Sequence, residues 1–281
     1  MNNKILYKFI ENCIEEDIQD GDHTSICCIP EKETGTANLI SKQHATVAGV
    51  ELAKKIFQFY DKNLKIEILK KDGQEIFISD TILKVSGKIR SILAMERLVL
   101  NCMQRMSGIA TKTKKIKQLI EQFDVKILDT RKTTPNIRFL EKWAVKIGGG
   151  ENHRMGLYDV ILIKDNHIDY TKGISYSIEK AINYTKKVKN MPIIIEVRNL
   201  DELTHVLQFK EISRIILDNF KKDEIKKAVK LVSKKIPLEV SGNINETNIR
   251  DYAKTGVDYI SIGALTHSVK NIDMSLKAEL I

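Results

Sequence analysis

Apolar runs along the second half of the chain are each followed at once by residues that could do chemistry together. Asp129, with Arg131 and Lys132, follows 125–128; Lys164, with Asp165 and Asn166, follows 160–163. Glu196 follows 193–195, Asp218 with Asn219 follows 215–217, Ser241 with Gly242 follows 238–240, and Gly263 follows 259–262. Arg131, Lys132, His153, Arg154 and Lys164 form a cationic arc, and a planar guanidinium grips a carboxylate or phosphate with two hydrogen bonds. Glu196 and Asp218 oppose that arc from later runs. Such a set suits an anionic substrate, a divalent cation held through oxygen, and a reaction that develops positive charge. Solvated loops account for one or two polar run ends, but not for Lys, Glu and Asp at successive ones. Gly242 and Gly263 leave room for backbone N–H groups to approach a ligand, in the region where barrels often bind phosphate. Gly148-Gly149-Gly150 lacks the GK[ST] ending of a phosphate loop and reads as a pliable segment that positions His153 and Arg154.

The elements that must carry these residues follow from the same pattern. Compact runs rich in Ile and Val alternate with helical segments, which predicts parallel strands covered by helices. Pro192 and Pro237 stand just before two runs, where a missing N–H is tolerated. Six such strands over 125–263 favour an incomplete parallel α/β barrel over an open doubly wound sheet, and in a barrel all the strand ends share one face. Before it, up to about Gly87, short β-like runs alternate with turns, and 65–78 is broken by the hairpin-type Asp72-Gly73. This reads as an N-terminal α+β sandwich domain with a helix in front, built on Ile5, Leu6, Phe9, Ile10, Cys13 and Ile14. Ser91 to Phe123 has helical spacing, interrupted by Gly108.

The composition narrows the class. The chain has 281 residues, 42% hydrophobic and 30% charged, which is enough for two folded domains and a solvated surface. A net charge of +9 favours anionic partners. The basic residues are interleaved with acids and lack an aromatic-rich stripe, which argues against nucleic acid. Lys221 to Lys235, with Ile225, Ala228, Val229 and Val232 on one face, reads as a solvated outer helix. The N-terminal stretch carries acids that do not suit a secretory signal, and no run approaches a membrane span. Four cysteines without a CxxC pair predict reduced thiols and a cytoplasmic protein, and His23 beside adjacent Cys27 and Cys28 makes a poor zinc site.

With these residues in view, the chain resembles the quinolinate phosphoribosyltransferases (nicotinate-nucleotide pyrophosphorylase, carboxylating). The resemblance runs through Glu96-Arg97, Ser107-Gly-Ile-Ala-Thr111, Asp129-Thr-Arg-Lys-Thr-Thr-Pro135, Gly148-Gly-Gly-Glu-Asn-His-Arg154, Ile163-Lys-Asp-Asn-His-Ile168, Leu217-Asp-Asn219 and Ser241-Gly242, with an N-terminal signature ending at Ser25. Asn136 stands where the family pattern has glycine, and Trp143 where tyrosine is common. The resemblance implies a sandwich domain over 1–108 to which a C-terminal helix, 268–281, returns, and a barrel domain over 109–267. It implies that quinolinate and phosphoribosyl pyrophosphate combine, with loss of carbon dioxide, to nicotinate mononucleotide and pyrophosphate, in NAD biosynthesis. Arg97, Arg131, His153, Arg154 and Lys164 would bind the quinolinate carboxylates. Lys132, Glu196 and Asp218 would face phosphoribosyl pyrophosphate and its Mg2+, with the two acids as metal ligands, while Ser241, Gly242 and Gly263 would hold the 5′-phosphate. Lys132, Lys164, Glu196 and Asp218 would be catalytic. It also implies a homodimer in which Arg97 reaches into the partner's site, with higher assembly left open.

Two other readings rest on single features. A related phosphoribosyltransferase for another acid would differ by a few pocket contacts. A Schiff-base aldolase would use Lys164 as nucleophile at a barrel strand end.

Overall fold

The computed structural model describes residues 3–279, and the chain divides into two compact units. The first is discontinuous: it runs up to Lys114, takes in Pro135–Gly148 and resumes at Val269. Its leading helix, Asn3–Asp17, buries Leu6 and Ile10. A short helix at His23–Cys28 follows, where the Asp22 carboxylate caps the N-terminus by accepting from the Ser25 amide at 3.1 Å and from the Ser25 hydroxyl. The strands are β1 (Thr34–Ser41), β2 (Ala45–Thr46), β3 (Lys65–Ile68), β4 (Glu75–Ile76) and β5 (Thr81–Lys88). β1 and β3 flank β5 in antiparallel register, and β2 pairs with β4. The Asp72-Gly73 turn is therefore not a hairpin: the strands on its two sides join different sheets. Asp72 instead accepts from the Val50 amide at 2.8 Å, at the start of the helix Val50–Tyr60.

The long helix Ile89–Leu119 realises the spacing read from Ser91 to Phe123. Within the first unit its Ser107 and Thr111 hydroxyls each accept a backbone N–H at 2.9 Å, from Ala48 and Thr46. A side chain at Gly108 would put Cβ 2.4 Å from the Lys270 carbonyl oxygen, so the glycine permits close backbone approach. The helix Arg138–Ile147 also belongs to this unit. Leu140, Ala144 and Val145 give it a buried apolar face. Asn136, in place of the expected glycine, has φ +64°, a left-handed conformation that asparagine tolerates.

The second unit, Lys115–Thr134 with Gly149–Ser268, holds the expected strands: β6 (Lys126–Leu128), β7 (Ile161–Ile163), β8 (Ile193–Val197), β9 (Ile212–Asp218), β10 (Leu238–Ser241) and β11 (Tyr259–Ser261). Their order is β6-β11-β10-β9-β8-β7, with every pairing parallel. No ladder joins β6 to β7 among the described residues, so the barrel is incomplete. Helices follow the strands, and Lys222–Val232 buries Ile225, Ala228 and Val232 while its lysines face solvent.

The expected C-terminal helix is a strand. β12 (Met274–Ala278) pairs antiparallel with β1 of the first unit, Ala37 opposite Ala278 and Ser41 opposite Met274. Its composition suits a helix, but the open edge of β1 supplies backbone partners that outweigh a weak local preference. The last two residues of the expected segment, 280 and 281, lie outside the described residues.

Candidate active site

Parallel strands place their C-terminal ends on one rim, and there the second unit opens a cleft of about 890 Å³. Arg131, Lys132, His153, Arg154, Lys164, Glu196, Asp218, Ser241, Gly242 and Gly263 all line it. Strand alternation accounts for the grouping: Glu196 lies on the same face of β8 as Ile194, Asp218 on the same face of β9 as Ile216, and Ser241 on the same face of β10 as Glu239. Leu162 and Ile216 add an apolar patch to the cleft wall.

The charged groups are already engaged with one another. Lys164 Nζ donates to Glu196 Oε1 at 2.5 Å. Burial nevertheless raises the Glu196 carboxyl above the usual glutamate range; Lys164 pulls it back and the nearby Asp218 charge pushes it further up. One oxygen of Asp218 accepts from Ser241 Oγ at 2.6 Å and the other from Asn219 Nδ2 at 2.8 Å. Burial first, and then the Arg131 charge, pull the Arg154 guanidinium below the usual arginine range. A second cation so near a desolvated arginine is an arrangement that an anion would relieve.

Backbone geometry holds the loops in place. Gly242 has φ +106°, and a Cβ there would lie 2.1 Å from Asn219 Oδ1, so glycine is required beside the Asp218-Asn219 pair. Gly263 precedes the short helix Ala264–His267, in which Thr266 Oγ1 donates to the Lys132 carbonyl at 2.7 Å. His153 is anchored by its amide, which donates to Oδ1 of the buried Asp129 at 2.9 Å.

A hard divalent cation fits the donor set. Magnesium is commonly held by one or two carboxylates, with water and ligand phosphate oxygens completing the shell. Glu196 and Asp218 at neighbouring strand ends supply that number, and no cluster of three or more His, Cys, Asp or Glu that could hold a metal occurs among the described residues.

Arg97 stands elsewhere. It is exposed on Ile89–Leu119 of the first unit, where it lines a smaller hollow of about 280 Å³ with Phe9, Cys13, Arg105 and Glu141. Glu239 and His267 are among the cleft residues that the sequence reading did not single out. Glu239 sits inside a strand, where only its two-residue spacing from Ser241 could have flagged it, and His267 follows Gly263 by four positions without a motif.

Comparison with known proteins adds independent findings. Residues 22–107 match the quinolinate phosphoribosyl transferase N-terminal domain, and 109–277 its C-terminal domain. The chain is 40% identical to quinolinate phosphoribosyltransferase [decarboxylating] 1b of Nicotiana tabacum, over 96% of this chain and 81% of that one. It is 38% identical to the probable nicotinate-nucleotide pyrophosphorylase [carboxylating] of Bacillus subtilis, over 100% of this chain and 96% of that protein. The solved structure of the nicotinate-nucleotide pyrophosphorylase from Francisella tularensis superposes with a TM-score of 0.92 at 41% identity, covering 99% of this chain and 98% of that one.

Proposed function

The chain belongs to the quinolinate phosphoribosyltransferase family, and on that premise we propose how its cleft performs the family's reaction. It is a pentosyltransferase of NAD biosynthesis that joins quinolinate to phosphoribosyl pyrophosphate and forms nicotinate mononucleotide, pyrophosphate and carbon dioxide. The observation that carries the assignment of residues is the convergence of Arg131, Lys132, Arg154, Lys164, Glu196 and Asp218 on one cleft.

Arg131, His153, Arg154 and Lys164 grip the two quinolinate carboxylates, and the apolar patch of Leu162 and Ile216 meets the ring. Ser241, Gly242 and Gly263 hold the 5′-phosphate, and Lys132 meets the pyrophosphate. The pyridine nitrogen attacks the anomeric carbon as the bond to pyrophosphate breaks, and Glu196 and Asp218 stabilise the positive charge that develops on the ribose. Mg2+ bound through those two acids would neutralise charge on the departing pyrophosphate. With the ring nitrogen quaternary, the bond to the neighbouring carboxylate breaks, carbon dioxide leaves, and the electron pair stays on the adjacent ring carbon until a proton replaces it. Lys164 and Arg131 are the cations placed to stabilise that carbanion.

Arg97 serves a second copy of the chain in a homodimer with shared sites; its exposure, apart from the residues lining the charged cleft, supports this reading. Four free thiols, two of them exposed, support a reducing, cytoplasmic setting.

Incubation with phosphoribosyl pyrophosphate, Mg2+ and quinolinate should yield nicotinate mononucleotide and one carbon dioxide per pyrophosphate; chelating the metal should stop it. Turnover of nicotinate in place of quinolinate, without carbon dioxide, would overturn the substrate assignment.

A further inference from the structure

Barrel interiors are ordinarily filled by branched apolar side chains. β7, β8 and β9 obey this with Leu162, Ile194 and Ile216, against which Val160 packs. The neighbouring strands do not. Glu239 on β10 is 1% exposed, yet it is a carboxylate at the wall of the cleft. A buried charge without a partner is costly, so its surroundings should say what it is for.

Those surroundings form one connected path. Arg214 Nη1 donates to Glu239 Oε2 at 2.9 Å, and the Arg214 guanidinium stacks 3.9 Å from the centre of the Tyr259 ring. The same Glu239 oxygen stands 3.6 Å from His153 Nε2. On the other side of the imidazole, Nδ1 accepts the Arg154 amide at 2.7 Å. An Nδ1 that accepts an N–H carries no hydrogen itself, so the ring hydrogen is on Nε2, turned toward Glu239. Burial raises the Glu239 carboxyl and Arg214 opposes that rise. Arg214 does not line the cleft, so a bound ligand there meets Glu239 and His153 with Arg214 behind them.

We propose that Glu239, held by Arg214, is a positioning residue for the quinolinate clamp: facing Nε2 while the Arg154 amide engages Nδ1, it completes the hold on the tautomer and angle of the His153 ring, and the ring fixes the backbone from which Arg154 extends. This rests on the reading that His153 and Arg154 hold quinolinate. A carboxylate facing one ring nitrogen of an imidazole sets its orientation, as metal-bound and catalytic histidines show, and a ligand that draws His153 toward the cleft need only shorten the remaining 3.6 Å separation for the pair to bond.

The test replaces the pair with apolar residues of similar volume, Arg214→Met with Glu239→Leu, a change that buried ion pairs often tolerate in stability. In the folded double variant, KM for quinolinate should rise roughly fivefold or more, with KM for phosphoribosyl pyrophosphate held within about twofold. Nitrogen NMR of 15N-histidine protein should show the His153 ring leaving the single Nε2–H form. A quinolinate KM within about twofold of the parent, or an unchanged ring signal, overturns the proposal. Should the double variant fail to fold, Glu239→Gln, which keeps the shape but not the charge, is read by the same two measurements against the same outcomes. Arg154→Ala is measured alongside. If it leaves KM for quinolinate unchanged, the clamp reading fails, and the His153 ring signal still decides for or against Glu239.

Discussion

Each unit buries a glutamate against an arginine, and the two pairs stand in opposite relations to their surroundings. In the first unit Arg105 directs Nε and Nη2 at the same Glu141 oxygen, at 3.0 and 2.7 Å, between the helices Ile89–Leu119 and Arg138–Ile147. In the second, one Glu239 oxygen is shared between Arg214 and the imidazole of a cleft residue. The first pair joins two helices; the second extends toward chemistry. A buried ion pair is weak evidence for stability by itself, because desolvation offsets much of the attraction. What it does specify is orientation, and the two pairs differ in what they orient.

The sharpest way to break this contrast is Glu141→Leu, which removes the buried carboxylate from a half-buried guanidinium. It should cost about 1.5–3 kcal/mol in denaturant unfolding, the contribution of a charged hydrogen bond, and pairing it with Arg105→Met should recover most of that loss. The kinetic constants of the refolded double variant should match the parent; a raised quinolinate KM would erase the difference between the pairs. Arg131→Ala probes the reverse case, an exposed cation at the cleft. Its quinolinate kcat/KM should fall at least about tenfold, since a charged hydrogen bond contributes about 1.5–3 kcal/mol, while the melting temperature barely moves. Unchanged kinetics would discredit the carboxylate clamp. The smallest signal belongs to Arg97, for which no partner lies among the described side chains. Mixing Arg97→Ala with Lys164→Ala subunits should restore roughly a quarter of parental activity, because half of the randomly formed dimers are mixed and each keeps one intact site. No recovery, with mixed dimers shown by native mass spectrometry, would count against shared sites.

The charged cleft was legible because a parallel barrel turns a one-dimensional pattern into a ring: each Ile- and Val-rich run ends at the same rim, so Lys164, Glu196 and Asp218 could be placed together from spacing alone. Glu239 was not, since a single acid inside a strand has the same signature whether it faces solvent or the barrel interior. The tail Met274–Ala278 carries Met, Leu, Lys and Ala, good helix formers, and only the distant β1 makes it a strand. Membership of Arg138–Ile147 in the first unit was equally invisible, because its amphipathic pattern says that a face is buried but not against what. The role of Arg97 came from resemblance, as no periodicity can express a side chain that works in another chain.

The pairing of β12 with β1 imposes an order on biogenesis. Strand Thr34–Ser41 leaves the ribosome early, but its neighbour on one side is made only when Met274–Ala278 has been synthesised. Through most of translation it therefore presents an unpaired row of amides and carbonyls, the kind of edge that invites intermolecular pairing. The β/α segment from Gly149 to Ser268, whose strands largely pair with sequence neighbours, can compact in the meantime, so vectorial synthesis leaves the earliest-made sheet to be finished last.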